Sequence, residues 1–104
     1  MTVDTRSGVE PTLKALAEPL RWQIVERLAG EELCVCHLVE DLGVAQPLVS
    51  HHLKVLRAAG LVESERYRQW VYYRLRPDAL AALAQVVAAL ATGHAGGGRR
   101  RPCC

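Results

Sequence analysis

The apolar residues of this chain recur at helical spacing in several segments, and proline, glycine or a capping residue bounds most of them. Pro11, Pro19 and Pro47 each suit a first helical turn, and Gly30, Gly43 and Gly60 each suit a helix end. Asp78 is placed to cap a last helix. The pattern predicts five helices over residues 11–17, 19–30, up to 42, 47–60 and 78–91.

Two short runs of β-forming residues follow the fourth helix, Leu61 to Arg66 and Trp70 to Leu75. The basic segment Tyr67-Arg68-Gln69 separates them, which predicts a β-hairpin. A short helix, a turn and a longer helix form a helix-turn-helix, and a hairpin directly after it is a wing. The predicted fold is therefore mainly α with a small β-hairpin: a winged helix-turn-helix of four helices, two strands and a fifth helix.

The chain has 104 residues, enough for one small domain whose core is marginal on its own. The last helix carries no charge after Asp78, so we expect a second copy to cover it in a homodimer. We place the DNA-binding and dimerisation domain at residues 1–92 and a flexible Gly/Arg-rich tail, ending in a cysteine pair, at residues 93–104. No apolar run approaches the roughly 20 residues that cross a bilayer, and the N-terminus lacks a signal-peptide pattern. We therefore expect a cytoplasmic protein without a membrane partner.

Charge is segregated along the chain behind a net charge of only +2. Residues 1–53 carry four basic and eight acidic side chains, whereas residues 54–76 carry six basic and two acidic ones. A local excess of cations next to a helix-turn-helix favours contacts with DNA phosphates.

The fourth helix has two faces on a helical wheel. Val49, Leu53 and Leu56 form the apolar side, and short polar residues followed by cations form the other. Such a face suits base edges near the helix start and phosphates further along. We predict that this face and the hairpin bind DNA through Gln46, Ser50, His51, Lys54, Arg57, Arg66 and Arg68.

Two histidines of this helix have different expected roles. His52 lies beside the apolar side and is predicted to pack against the core. His51 lies nearer the polar face, where a base contact and an ordinary solvated position are both open.

The four cysteines form two close pairs, Cys34 with Cys36 and Cys103 with Cys104. In a reducing compartment such pairs indicate metal binding or redox chemistry more than a disulfide framework. The segment from Gly93 to Cys103 spans about 16–19 Å as a random coil. The terminal pair can therefore reach Cys34 and Cys36 of its own chain or of a partner.

The predicted start of the third helix sets the expected behaviour of Cys34 and Cys36. Residues two apart on a regular helix point about 200° apart, so we predict that both thiols meet one ion only by distorting the first turn. The helix dipole is expected to lower their pKa values. His37 is predicted to face solvent or form a hydrogen bond more than to bind metal.

Several motifs occur together in one order: Leu33-Cys34-Val35-Cys36, Gln46-Pro47-Leu48-Val49-Ser50-His51-His52-Leu53, Leu56-Arg57, Gly60-Leu61-Val62 and Tyr72-Tyr73-Arg74-Leu75. Over roughly residues 12 to 91 the chain resembles the ArsR/SmtB family of metal-responsive winged-helix repressors. The resemblance implies a regulator that binds double-stranded operator DNA and responds to a thiophilic ion.

The chain differs from members of that family at the positions of two sets of metal-binding residues. Arsenic-responsive members usually continue as Cys-Val-Cys-Asp-Leu-Cys, with three thiolates for one metalloid, whereas this chain has His37 and Val39 in place of the Asp and the third Cys. Zinc-sensing relatives carry His and Asp ligands on the last helix, and this chain has Pro77, Ala79 and Leu90 at the aligned places. The resemblance thus implies no last-helix zinc site, and another cysteine must complete the thiolate site.

The expected function is a homodimeric repressor that leaves its operator when arsenite or antimonite binds Cys34, Cys36 and a tail cysteine, Cys103 or Cys104. Two alternatives keep the same fold. One repressor would sense cadmium, lead or another soft divalent metal and use both tail cysteines, and the other would sense oxidants through disulfides. The sequence shows no nucleophile paired with a base and no phosphate-binding loop, so we do not expect an enzyme.

Overall fold

The computed structural model describes residues 5–95 and the side chains of residues 9–93. The predicted winged helix-turn-helix is confirmed, with five helices and a hairpin in the expected order. The elements are α1 (Thr5–Leu16), α2 (Pro19–Leu28), β1 (Leu33–Cys34), α3 (Val35–Leu42), α4 (Gln46–Ala58), β2 (Val62–Tyr67), β3 (Trp70–Leu75) and α5 (Pro77–Ala95).

The sequence pattern missed the short strand β1, which pairs antiparallel with β3 to give a three-stranded sheet in the order β1-β3-β2. Leu33 lies opposite Tyr73, and Cys34 lies opposite Tyr72. A strand of two residues is too short to show an alternating pattern. It exists because a distant edge is available for pairing, which local sequence does not report.

Two helix limits also differ from the prediction. α1 begins at Thr5 and contains Pro11 in its interior, although proline cannot donate a backbone hydrogen bond there. α5 runs to Ala95, beyond the predicted end at about Ala91. The helix continues through Gly93, although glycine after an apolar run is a signal for a helix end.

β2 and β3 form the wing, in register from Val62 opposite Leu75 to Tyr67 opposite Trp70. Tyr67 belongs to the strand and not to the turn, so only Arg68 and Gln69 connect the two strands. Arg68 has a φ of 59°, a left-handed conformation that is strained for a residue with a long side chain. Its guanidinium lies 5.4 Å from the centre of the Tyr67 ring, and this cation–π contact partly offsets the strain.

The core lies where α2, α3, α4 and the start of β2 meet. Its completely buried side chains are Ile24, Leu38, Val49, Leu53, Leu56, Leu61 and Val62. Gly43 ends α3 in the left-handed conformation, with φ 66°, and its N–H donates to the Val39 carbonyl at 2.9 Å. This tight end turns the chain directly into α4.

α5 packs against α1 and leaves large apolar side chains exposed. Val87 and Leu90 of α5 and Leu13 of α1 are each more than half exposed. Within residues 5–95, no helix combines the length and the apolar character needed to cross a membrane.

We predict that Leu38→Ala lowers the free energy of unfolding by about 2–5 kcal/mol, because Leu38 is completely buried in the core. Leu48→Ala is the matched control, since Leu48 is 43 % exposed, and its effect should stay within about 0.5 kcal/mol. Urea denaturation at one fixed protein concentration measures both. Equal losses in the two variants would contradict the placement of α3 in the core.

Candidate functional site

Cys34 and Cys36 form the thiol pair, which lies where β1 ends and α3 begins. Cys34 caps α3 with an extended backbone, φ −94° and ψ 169°, and Cys36 lies in the first helical turn. The two Sγ atoms are 3.1 Å apart. The prediction that the thiols face apart is therefore wrong, because Cys34 precedes the helix and does not follow its 100° step.

His37 holds the backbone at this cap. Its Nδ1 accepts a hydrogen bond from the Cys34 N–H at 3.1 Å and lies 3.3 Å from the Cys34 Sγ. The ring also lies 6.4 Å from that of Tyr72, centre to centre. The predicted hydrogen-bonding role of His37 is confirmed, and the bond uses the lone pair of Nδ1.

The two thiols have opposite pKa shifts. Burial raises the pKa of Cys34, but the hydrogen bond from Cys36 and the backbone N–H groups of His37 and Cys36 outweigh it, so the net shift is downward. The same hydrogen bond, with desolvation and the charge on Cys34, raises the pKa of Cys36. The expected lowering thus holds for Cys34 and is wrong for Cys36. The pair holds one thiolate and one thiol more readily than two thiolates.

The thiol pair supplies two of the ligands that a soft ion needs. Within the described residues, no group of three His, Cys, Asp or Glu side chains is arranged to hold a metal ion. Cys103 and Cys104 lie outside the described residues. Cys34 is 5 % exposed and Cys36 is open to solvent, so an incoming group reaches the pair from the Cys36 side.

The thiol pair is joined to the wing by more than the chain itself. Cys34 is the last residue of β1 and pairs with Tyr72 of β3. Arg74 of β3 donates to Glu63 at 2.8 Å and to Glu65 at 2.7 Å, and its Nη1 lies 3.8 Å from Glu32, just before β1. The hydrogen bonds from Arg74 to Glu65 and Glu63 raise its pKa.

The reading face is the set of α4 side chains predicted to meet DNA: Gln46, Ser50, His51, Lys54 and Arg57. All five are exposed, while Val49, His52, Leu53 and Leu56 are buried on the opposite side. The predicted division of the helix and the packing role of His52 are confirmed. Arg66 and Arg68 are exposed at the wing tip.

Ion pairing reduces the excess of cations between residues 54 and 76. Arg74 is bound to Glu63 and Glu65, and Arg76 lies 3.3 Å from Asp78. The reading face and the wing tip retain four cations, Lys54, Arg57, Arg66 and Arg68, for which no ion pair occurs among the described side chains. The cations of this segment that form no ion pair among the described side chains are therefore those on the reading face and at the wing tip.

Sequence reasoning missed a polar network under α4. Arg21 of α2 donates to the His52 Nδ1 at 3.1 Å and to the Ala15 carbonyl at 2.7 Å. Glu18 caps α2 by accepting from the Arg21 N–H at 2.9 Å. One signal was available, since a histidine on the apolar side of a helix needs a buried partner.

Comparison with known proteins relates this chain to one family of regulators. The family model described as "Bacterial regulatory protein, arsR family" matches residues 18–64. The chain is 52 % identical over 69 residues to the HTH-type transcriptional repressor SmtB of Mycobacterium tuberculosis, covering 66 % of this chain and 51 % of that protein. It is 47 % identical over 66 residues to the arsenic resistance transcriptional regulator ArsR1 of Pseudomonas putida, covering 62 % and 52 %. The chain spans about half the length of these curated relatives.

A solved structure supports the same grouping. The homodimeric winged helix-turn-helix DNA-binding domain Mb0332 of Mycobacterium bovis, described as a possible ArsR-family regulator, superposes with a TM-score of 0.69 at 28 % identity. The match covers 91 % of this chain and 89 % of that domain.

We predict that Cys36→Ala raises the pKa of Cys34, because the substitution removes the hydrogen bond that stabilises the thiolate and leaves burial in place. The measurement is the pH dependence of thiolate ultraviolet absorbance, with Cys103 and Cys104 replaced by serine. Cys36→Ser is the control, since its hydroxyl still donates. The same Cys34 pKa in both variants would show that the sulfur contact does not set it.

Proposed function

Because the chain belongs to the ArsR/SmtB family of bacterial transcriptional regulators, we propose that it is a repressor that binds operator DNA as a homodimer and releases it when arsenite or antimonite binds its thiols. The family is one of DNA-binding regulators and not of enzymes. The observation that carries the inducer assignment is the thiol pair, with its sulfur atoms 3.1 Å apart at the start of α3.

The reading face supports DNA binding. Short polar side chains near the start of α4 suit hydrogen bonds to base edges in a major groove. Lys54 and Arg57 lie further along the same face, and Arg66 and Arg68 lie on the wing, where they suit phosphate contacts. Sequence discrimination is therefore assigned to the first half of α4 and general affinity to the cations.

The apolar face of α5 and α1 supports a dimer. Leu90 is 67 % exposed and Val87 53 % exposed, which is unfavourable in water unless another surface covers them. The structural relative from Mycobacterium bovis is itself described as homodimeric. Two reading faces would then bind two half-sites about one DNA turn, roughly 10 bp, apart or a multiple of it.

The chemistry of the donor set favours a thiophilic inducer. Cys34 and Cys36 offer two sulfurs, and soft ions prefer thiolate to the oxygen and nitrogen ligands that hard ions accept. A trivalent metalloid takes three sulfurs, so Cys103 or Cys104 is assigned as the third ligand, delivered by the Gly-rich tail. When bound, the metalloid supplies strong bonds that hold the sulfurs at fixed spacing.

The surroundings of the thiol pair suggest how release works. Cys34 belongs to β1 and is held to the wing strand β3, whereas Cys36 belongs to α3, which supports α4. A ligand that draws these two residues toward a tail cysteine pulls on the wing and on the supporting helix together. A coupling of about 1–3 kcal/mol changes DNA affinity 5- to 150-fold.

Two alternatives use the same thiols. Cadmium or lead favours four ligands and would use both tail cysteines. Oxidation is favoured by the sulfur contact and the lowered pKa of Cys34, but Cys34 is almost completely buried, which opposes attack on an oxidant. Metalloid binding is therefore the assignment that the donor chemistry of the thiol pair favours.

Ser50→Ala or His51→Ala should weaken binding to operator DNA by about 5- to 150-fold, at roughly 1–3 kcal/mol per base contact, with little effect on random DNA. Arg68→Ala should weaken both and reduce the salt dependence by about one charge. Fluorescence anisotropy with operator and scrambled duplexes over a salt series measures this. A uniform loss on all sequences for every variant would refute the reading face.

Cys34→Ser or Cys36→Ser should leave DNA binding intact and abolish release by arsenite, because each removes one sulfur from the pair. Replacing Cys103 and Cys104 together by serine should weaken arsenite affinity at least about tenfold, since two thiolates remain of three. Arsenite titration of the protein–DNA complex, with sulfur ligands counted by X-ray absorption, is the measurement. Zinc, cadmium and peroxide are run in parallel, and stronger release by any of them would transfer the assignment to that inducer.

A further inference from the structure

His52 is a buried titratable residue in the helix that carries the reading face. It is 7 % exposed and lies on α4 between core residues and α2. A histidine at this depth needs a hydrogen-bond partner. Its partner is the side chain of Arg21, which the proposed function leaves without a role.

Arg21 ties three helices together. Its Nε donates to the Ala15 carbonyl of α1 at 2.7 Å, and its Nη1 donates to the His52 Nδ1 of α4 at 3.1 Å. Its own N–H is held by Glu18, the cap of α2, at 2.9 Å. The Ala15 carbonyl therefore holds the guanidinium, and Glu18 holds the backbone that carries it.

The protonation state of His52 follows from this contact. An arginine side chain only donates hydrogen bonds, so the Nδ1 of His52 must accept and the ring must be neutral. The ring hydrogen then lies on Nε2, which is 4.0 Å from the Glu18 carboxylate. Desolvation lowers the pKa of His52, partly opposed by the charge of Glu18, so neutrality is favoured.

We propose that neutral His52, by accepting from Arg21, sets the rotation of α4 on α2 and so aligns the reading face with DNA. His52 is a positioning residue and does not touch DNA itself. His51, its neighbour on the reading face, and Ser50 are carried on the same backbone, so a small rotation at His52 displaces both. The inference rests on the DNA binding assigned above and adds the residue pair that orients the helix.

Protonation of His52 would reverse this contact. The Nδ1 would then carry a hydrogen facing the Arg21 guanidinium, with two positive groups at hydrogen-bond distance. The titratable and charged groups that face His52 are Arg21 of α2, Glu18 at the cap of α2 and, on its own helix, His51, whose ring centre lies 5.2 Å away. Glu18 attracts the protonated ring more strongly than Arg21 repels it, so burial is the main reason that the pKa of His52 is lowered.

The direction of the pH effect follows. Because the pKa of His52 is lower in the folded protein than in the unfolded chain, the unfolded chain binds the extra proton first as pH falls. Neutral His52 therefore contributes fully above the ordinary histidine pKa, and the contribution is lost as pH falls below it. Operator affinity should decline at still lower pH, as the folded protein itself takes up the proton at the lowered pKa of His52.

The test compares three full-length proteins that all carry His51→Gln, which removes titration on the reading face. The first keeps His52, the second carries His52→Asn and the third carries His52→Leu. The His52→Asn carbonyl oxygen can accept from Arg21 near the position of Nδ1 but cannot take a proton, whereas His52→Leu removes the acceptor. The probe is a duplex selected by this protein from a random-sequence pool, and circular dichroism confirms folding at each pH.

Between about pH 7.5 and about pH 5, the protein with His52 should lose about tenfold more operator affinity than the His52→Asn variant. At the higher pH the His52→Asn variant should bind within about threefold of the reference, and the His52→Leu variant should bind more weakly than either. Parallel pH profiles for the His52 protein and the His52→Asn variant would overturn the inference. Failure of the unsubstituted protein to select any duplex would instead refute the proposed function.

Discussion

The extended backbone of Cys34 is the constraint on which the site depends. Because this residue ends β1 before α3 begins, it pairs with the wing strand through its backbone and meets Cys36 through its side chain. A helical Cys34 would turn its sulfur away from Cys36 and would leave no strand to pair with β3. His37 holds this conformation by accepting from the Cys34 N–H. One backbone conformation thus creates the sulfur pair and connects it to the wing.

α4, the helix to which DNA binding is assigned in our proposal, is held from beneath by both apolar and polar contacts. Val49, Leu53 and Leu56 bury one side of α4 in the core, which determines the face that points inward. Apolar contacts have no preferred angle, so they tolerate small changes in rotation more easily than a hydrogen bond does. The Arg21–His52 hydrogen bond is directional. We infer that the core provides stability and that the polar network provides alignment.

Charge is used in two different ways within a short stretch of chain. Arg74 forms ion pairs with Glu63 and Glu65 inside the wing, and it also lies within ion-pair distance of Glu32 next to the thiol pair. Such partly exposed ion pairs add little stability, but together they join the two wing strands to the segment that enters the thiol site. Arg66 and Arg68, also on the wing, carry no such partner among the described side chains. Ion pairs therefore hold the part of the wing near the thiol pair, whereas the cations at its tip form none among the described side chains.

The sequence alone determined the five helices, the hairpin and the two faces of α4, because helical periodicity, proline and glycine act locally. It also placed Cys34 and Cys36 beside a DNA-binding motif. Three features were decided by tertiary structure: the strand β1, the convergence of the two sulfurs, and the partner of His52. The strand β1 depends on Tyr72, and the contact of His52 depends on Arg21, both distant in sequence. The convergence of the two sulfurs depends on the extended backbone that strand pairing gives to Cys34. Local propensity gives no information about those partners, since only the folded chain brings them together.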